Sequence, residues 1–282
     1  MRVRRWMAGL VLCAACASGF AGAPARSGDE ASAGAASRIR TGVGADRLVL
    51  LGETHGTREI PDLVASLVAD YAAEGPVLLA LEMPRSEHAA LSQYLISDGG
   101  DAARAALRAT AFWTVTGNQH DGRRSEDMLD LIEAVRALRD EGRDVAFVPY
   151  DVERGFDRVG GDARDAAMAR HVRAAYAALP RGRLLVLAGN VHAMLRKPEH
   201  APAQMPVPMG EHLHDLAPYS ARIDARAGQS WACRDARCGP LPVVAMATED
   251  GAPTGIFARV YDLQVLLPSF TIARLLGTAS PR

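Results

Sequence analysis

Four side chains of the kinds that move protons or hold metals stand just beyond apolar runs in this sequence: Glu53 and His55 after Leu48 to Leu51, Glu82 after Leu78 to Leu81, and His192 after Leu184 to Leu187. A carboxylate placed directly behind such a run costs several kcal/mol to desolvate unless it is paired, so Glu82 demands a partner. Two carboxylates and two imidazoles support two chemistries. They can hold a divalent metal (Mn, Zn or Fe) with one position open to water, and the metal then supplies hydroxide near neutral pH. Without a metal, a carboxylate orients a histidine that takes the proton from water directly. Both routes end in hydrolysis. Each residue also has an ordinary reading, Glu53 as an acceptor of backbone N–H groups and His55 as a solvated turn residue.

The elements that must bring these residues together follow from the apolar pattern. Continuous apolar runs ending at Leu51, Leu81, Val148 and Leu187 suit strands buried on both faces. Helical periods lie between them: Leu63, Val64, Leu67, Val68 and Tyr71, then Ser86 to Ile96, Ser125 to Arg139 and Asp162 to Leu179. Strands alternating with helices imply right-handed crossovers and a parallel sheet. In such sheets ligands bind beyond the carboxyl ends of the strands, where Glu53, His55, Glu82, Tyr150, Asp151, Asn190 and His192 all fall. Residues 98–124 carry no strand and read as a helical insertion covering the sheet edge. Beyond Pro198, alternating segments at Tyr219 to Arg226, around Trp231, at Val243 to Met246 and at Ile256 to Val260 read as antiparallel strands that extend the sheet. The expected fold class is α/β, with a mainly parallel central sheet flanked by helices, a helical insertion and antiparallel C-terminal strands.

Composition narrows the function. With 32 basic and 33 acidic residues in 282, the chain lacks the positive excess that nucleic-acid binding needs. Residues 1–25 combine Arg2, Arg4 and Arg5 with an apolar stretch from Trp6 to Phe20 and small residues at Ala21, Ala23 and Ala25, the layout of an export signal. Delivery to the periplasm or outside the cell is expected, with no transmembrane helix in the mature form and lipid attachment at Cys16 as the lesser alternative. Residues 26–42 are rich in Ala, Gly and Ser and read as a disordered linker, leaving 43–282 as a single domain. Cys233 and Cys238 are the two cysteines of that domain and read as a small structural disulfide.

The motifs also carry a resemblance. Gly52-Glu-Thr-His-Gly-Thr57 with Glu59 and Pro61, Leu81-Glu-Met-Pro84, Arg164-Asp-Ala-Ala-Met-Ala169 and Gly189-Asn-Val-His-Ala193 resemble, in that order, the motif set of the erythromycin esterase, ChaN and Tiki superfamily over roughly residues 48–193. The resemblance implies a ChaN/Tiki-like α/β domain and a choice among macrolide ester hydrolysis, metal-dependent proteolysis and haem binding. It matches Glu53, His55, Glu82 and His192 to the family's glutamates and histidines, and Arg164 to its helical arginine. On this reading the protein is an exported hydrolase acting on an ester or amide bond of a small-molecule or peptide substrate. His55 is base or metal ligand, Glu53 and Glu82 orient it or share the metal, His192 completes the site, and Arg164 holds developing negative charge. The alternative is a non-catalytic haem or iron carrier, with Tyr150 or an exposed histidine as axial ligand.

Two segments stand apart. Trp113 and residues 119–123 suit a pocket mouth or an ordinary turn at Asp121-Gly122. Met205, Met209, His212 and His214 offer soft and imidazole donors in a proline-rich stretch, suited to metal capture or an irregular loop.

Overall fold

The computed structural model describes residues 27–115, 120–153, 161–234, 237–244, 249–255 and 258–277. The export segment, Cys13, Cys16, Gln119, Met246 and Ile256 lie outside the described residues. Chain order begins with α1 (Ser27–Val43), β1 (Leu48–Glu53), α2 (Glu59–Glu74), β2 (Val77–Pro84), α3 (His88–Leu95), α4 (Asp101–Arg108) and α5 (Glu126–Asp140). It continues with β3 (Val145–Asp151), α6 (Gly161–Ala178), β4 (Arg183–Gly189), α7 (Met209–His212), β5 (Tyr219–Ala225), β6 (Gln229–Arg234), β7 (Arg237–Pro242) and β8 (Leu263–Leu267).

Six strands form one parallel sheet in the order β3-β2-β4-β1-β5-β8. Side chains alternate across it with a period of two. Val49, Leu51, Leu79, Leu81, Leu185 and Leu187 pack on one face with α1, α2 and α5, while Leu48, Leu50, Ala80, Leu184 and Val186 pack on the other with Met168 and Val172 of α6. That two-sided burial is what the continuous Leu/Val runs encode. Helix α5 starts where Ser125 accepts from the Met128 N–H at 3.1 Å, and it buries Met128, Leu131, Ile132 and Val135.

The chain runs outward from β1 through β2 to β3, then turns back through β4 to β5 and β8. Reversal of direction with a constant crossover hand puts the later helix on the opposite face, so β4 ends between loops that leave the sheet on different sides. Register aligns those ends, with Glu53 opposite Gly189 and Leu81 opposite Leu187.

Three expectations are corrected. Residues 27–43 are helical, with Ala35, Ala36, Ile39 and Val43 buried; the small side chains read as linker let α1 lie close against α2. Tyr219–Ala225 joins the parallel sheet between β1 and β8, its alternating polar residues Ser220, Arg222 and Asp224 buried and bonded inside the molecule, and antiparallel pairing is found in β6 and β7. Among the described residues the insertion is helical at Asp101–Arg108, and residues 120–124 run back over the strand ends and deliver Arg123 to Glu82.

Candidate functional site

Glu82 is the centre of the site. It emerges from β2 on the α6 side of the sheet with 3% of its side chain exposed. One carboxylate oxygen accepts from Arg123 Nη1 at 3.0 Å and Arg164 Nη2 at 2.8 Å, and the other from the Gly189 N–H at 2.7 Å. Burial alone would push this acid up, but Arg123, His192, His55 and Arg164 together hold it well below the usual carboxylate range. It is therefore an anion at neutral pH.

Asp151, at the end of β3, holds the two guanidiniums in place. It takes Arg164 Nε at 3.0 Å and Nη2 at 2.7 Å in a two-point grip, and lies 3.4 Å from Arg123 Nη1. Asp121 accepts from Arg123 Nε at 3.0 Å and Nη2 at 2.6 Å, and from Arg124 Nη1 at 2.8 Å. Burial opposes charge on Arg123, and Glu82 and Asp121 restore it and carry it well above its ordinary value.

Two histidines flank Glu82. His55 Nε2 is 3.8 Å from one of its oxygens and His192 Nε2 is 3.9 Å from the other. His55 Nδ1 sits 2.9 Å from Glu53 Oε1, and His192 Nδ1 sits 2.7 Å from Asp165 Oδ1. Each carboxylate accepts an Nδ1–H, which assigns the proton to Nδ1 and a lone pair to Nε2. At His192 that lone pair is taken, because Arg164 Nη1 donates to it at 3.0 Å. Among the described residues the His55 Nε2 makes no such bond, and 22% of the His55 side chain is exposed. Burial pushes the His55 imidazole down, but the charge and hydrogen bond of Glu53, with the charge of Glu82, outweigh it and raise the pKa above 6.5.

Gly189 leaves the space this arrangement needs. A Cβ there would stand 3.0 Å from His55 Nε2 and 3.4 Å from His192 Cδ2, filling the gap between the imidazoles.

Glu53, His55, Glu82, His192 and Arg164 thus converge on one cleft edge, as their positions after successive strands led one to expect. Asp165 carries no role in the sequence pattern, Asp151 stands there as a strand-end residue and Arg123 in a pocket-mouth or turn segment; the one signal for Asp165 is its place beside Arg164 in the Arg164–Ala169 motif. The shared metal does not fit. Both Glu82 oxygens and His192 Nε2 are bonded to N–H donors, and a cation among them would face two fixed guanidiniums. Among the described residues, no group of three or more His, Cys, Asp or Glu is arranged to hold a metal ion. Tyr150 is fully buried and donates its hydroxyl to the Leu187 carbonyl at 2.9 Å, so it is not open to a haem. Met209 is buried against the α6 face, and His214 Nδ1 sits 3.1 Å from the Glu211 carbonyl.

Fold and site together define a three-layer α/β protein with a histidine–carboxylate centre at the carboxyl edge of a parallel sheet. Solved structures share that fold. An erythromycin esterase, EreC, seen as a mutant in its open conformation, superposes with a TM-score of 0.62 at 14% identity, covering 86% of this chain and 95% of that one. A succinoglycan biosynthesis protein gives 0.62 at 12% identity, covering 84% of this chain and 91% of that one, and a Bacillus cereus protein gives 0.61 at 12%, covering 89% and 100%. Identities this low establish the fold and nothing finer. No protein-family model and no curated protein matches the chain.

Proposed function

We propose that the protein is a metal-independent hydrolase in which His55 is the general base that activates water against an ester or amide carbonyl. One observation carries this reading: among the described residues, of the two histidines at Glu82, only His55 keeps its Nε2 without a hydrogen bond while Glu53 holds Nδ1. A base needs an open lone pair and a carboxylate behind it to stabilise the imidazolium that forms. Water at Nε2 would lose a proton to it as the oxygen attacks, and the same proton would pass to the leaving group. Arg164 spends Nε and Nη2 on Asp151 and Glu82 and one Nη1–H on His192, which leaves one Nη1–H for developing negative charge on the carbonyl oxygen.

The fold shared with an erythromycin esterase supports an ester as the first substrate class to test. Export belongs to the same reading. It is supported by the signal-like residues 1–25 and by the Cys233–Cys238 disulfide, a bond that persists in oxidising compartments. Among the described residues no helix is long and apolar enough to cross a membrane.

The test is turnover of an ester and peptide panel by the mature chain, with and without chelator, beside His55→Gln. The reading predicts turnover that survives chelation and is lost in the variant; equal turnover by both proteins would remove His55 from the mechanism. Haemin titration of the same sample should leave the Soret band unshifted.

A further inference from the structure

Trp231 has no part in the chemistry above, yet it touches both loops that carry it. Its backbone N–H donates to the Gly56 carbonyl at 3.1 Å, and its indole Nε1–H donates to the His120 carbonyl at 2.7 Å. The backbones meet closely. A Cβ on Gly56 would stand 2.2 Å from the Trp231 carbonyl oxygen, and one on Gly122 would stand 2.5 Å from the same atom, so the junction closes only around glycines. Gly56 follows His55 directly, and Gly122 precedes Arg123 directly. One residue of β6 therefore packs against both the loop of the base and the loop of the guanidinium that grips Glu82.

The junction is braced on both sides. β6 pairs antiparallel with β7, and the Cys233–Cys238 disulfide joins residues that face each other across that pair. His120 is fully buried, accepts the Gly122 N–H on Nδ1 at 3.2 Å, and sets its ring edge-on to the indole at 6.4 Å. The Ala273 N–H gives the Gly56 carbonyl a second donor at 2.9 Å. These ties fix where the His55 and Arg123 loops stand relative to each other.

We propose that Trp231 is a positioning residue of the hydrolytic centre: its indole N–H on the His120 carbonyl and its backbone, packed against the touching backbones of Gly56 and Gly122, set the separation of His55 from Arg123 and Glu82. The inference rests on the hydrolase reading for its kinetic consequence, while the geometry it names is independent of it. Misplacement of a base by a fraction of an ångström slows chemistry more than it weakens binding.

The experiment is Trp231→Phe, which keeps the ring and removes the donor, in the full disulfide-bonded protein. Expected is a fall in kcat of about tenfold with KM within about twofold. The His55 imidazole NMR resonances, assigned by their loss in His55→Gln, should move in the folded variant. Gly122→Ala, which crowds the same Trp231 oxygen from the other side, should repeat the pattern. A lower melting temperature with unchanged kcat and unmoved His55 resonances in the folded protein would overturn the proposal, as would a rise in KM alone. If the wild-type chain turns over nothing in the panel, the hydrolase reading fails, and the resonance comparison still decides whether Trp231 positions His55.

Discussion

His55 and His192 stand on either side of Glu82 at nearly equal distances, and each rests its Nδ1 on a carboxylate. They part company at the other nitrogen. His192 Nε2 accepts from Arg164, so its ring is a strut between α6 and the β4 end, locked at both nitrogens. His55 sits on a loop, is held at Nδ1, and keeps Nε2 3.8 Å from Glu82 beside the space that Gly189 leaves. The same pair of residue types, a histidine with a carboxylate behind it, therefore keeps an open lone pair in one place, as the proposed base requires, and forms a brace in the other. The deciding factor is a single guanidinium.

The contrast can be broken most directly at the histidines themselves. His55→Ala should lower kcat on any hydrolysed substrate by about a thousandfold, in the range typical of a lost general base, whereas His192→Ala should cost about tenfold through a loosened Arg164. A reversed ranking in steady-state kinetics would exchange their roles. Arg164→Ala comes next, with an expected loss of about a hundredfold in kcat. Arg164→Lys should recover little, because one ammonium cannot bridge Asp151, Glu82 and His192 together.

Glu82→Gln sharpens the comparison through stability. Removing the charge leaves two buried guanidiniums short of a counter-ion, and urea unfolding at pH 7 should show a loss of about 3 kcal/mol. Because Glu82 is held below its ordinary range when folded, its contribution is present above pH 4.5 and fades as pH falls through the depressed value. Wild type and variant should therefore converge in strong acid; a constant gap would contradict the ion-pair account.

The smallest effect concerns pH. A base with a raised pKa must lose its proton before it acts, so the acid limb of kcat/KM should fall above pH 6.5. Glu53→Gln removes the leading attraction and leaves burial dominant, so the limb should move to lower pH. For folding the sign is opposite: protonated His55 stabilises the native state fully below pH 6.5, and that gain disappears as pH rises through the folded pKa.

Much of this was readable along the chain. Leu48 to Leu51 and Leu184 to Leu187 announce buried strands by composition, and the polar residues behind them had to end at one edge once the strands were parallel. Residues 119–123 suggested a pocket mouth or a turn, but the bond of Arg123 to Glu82 was not readable, because it is made from a non-helical return of the insertion, 41 positions away. Asp165 was hidden differently. On α6, consecutive residues point in directions about a third of a turn apart, so the place of Asp165 beside Arg164 did not reveal that it faces His192. The alternating Tyr219 segment misled because its polar residues Ser220, Arg222 and Asp224 are buried in an interior strand, and alternation says nothing about strand direction.

The order of residue types along the chain determined which groups would stand at the strand ends, since apolar runs must be buried and their polar followers must emerge where the sheet stops. Which imidazole is free and which is capped was decided only in three dimensions. That choice depends on where one helix lays a guanidinium and how two neighbouring acids hold it, and contacts between distant segments fix those positions.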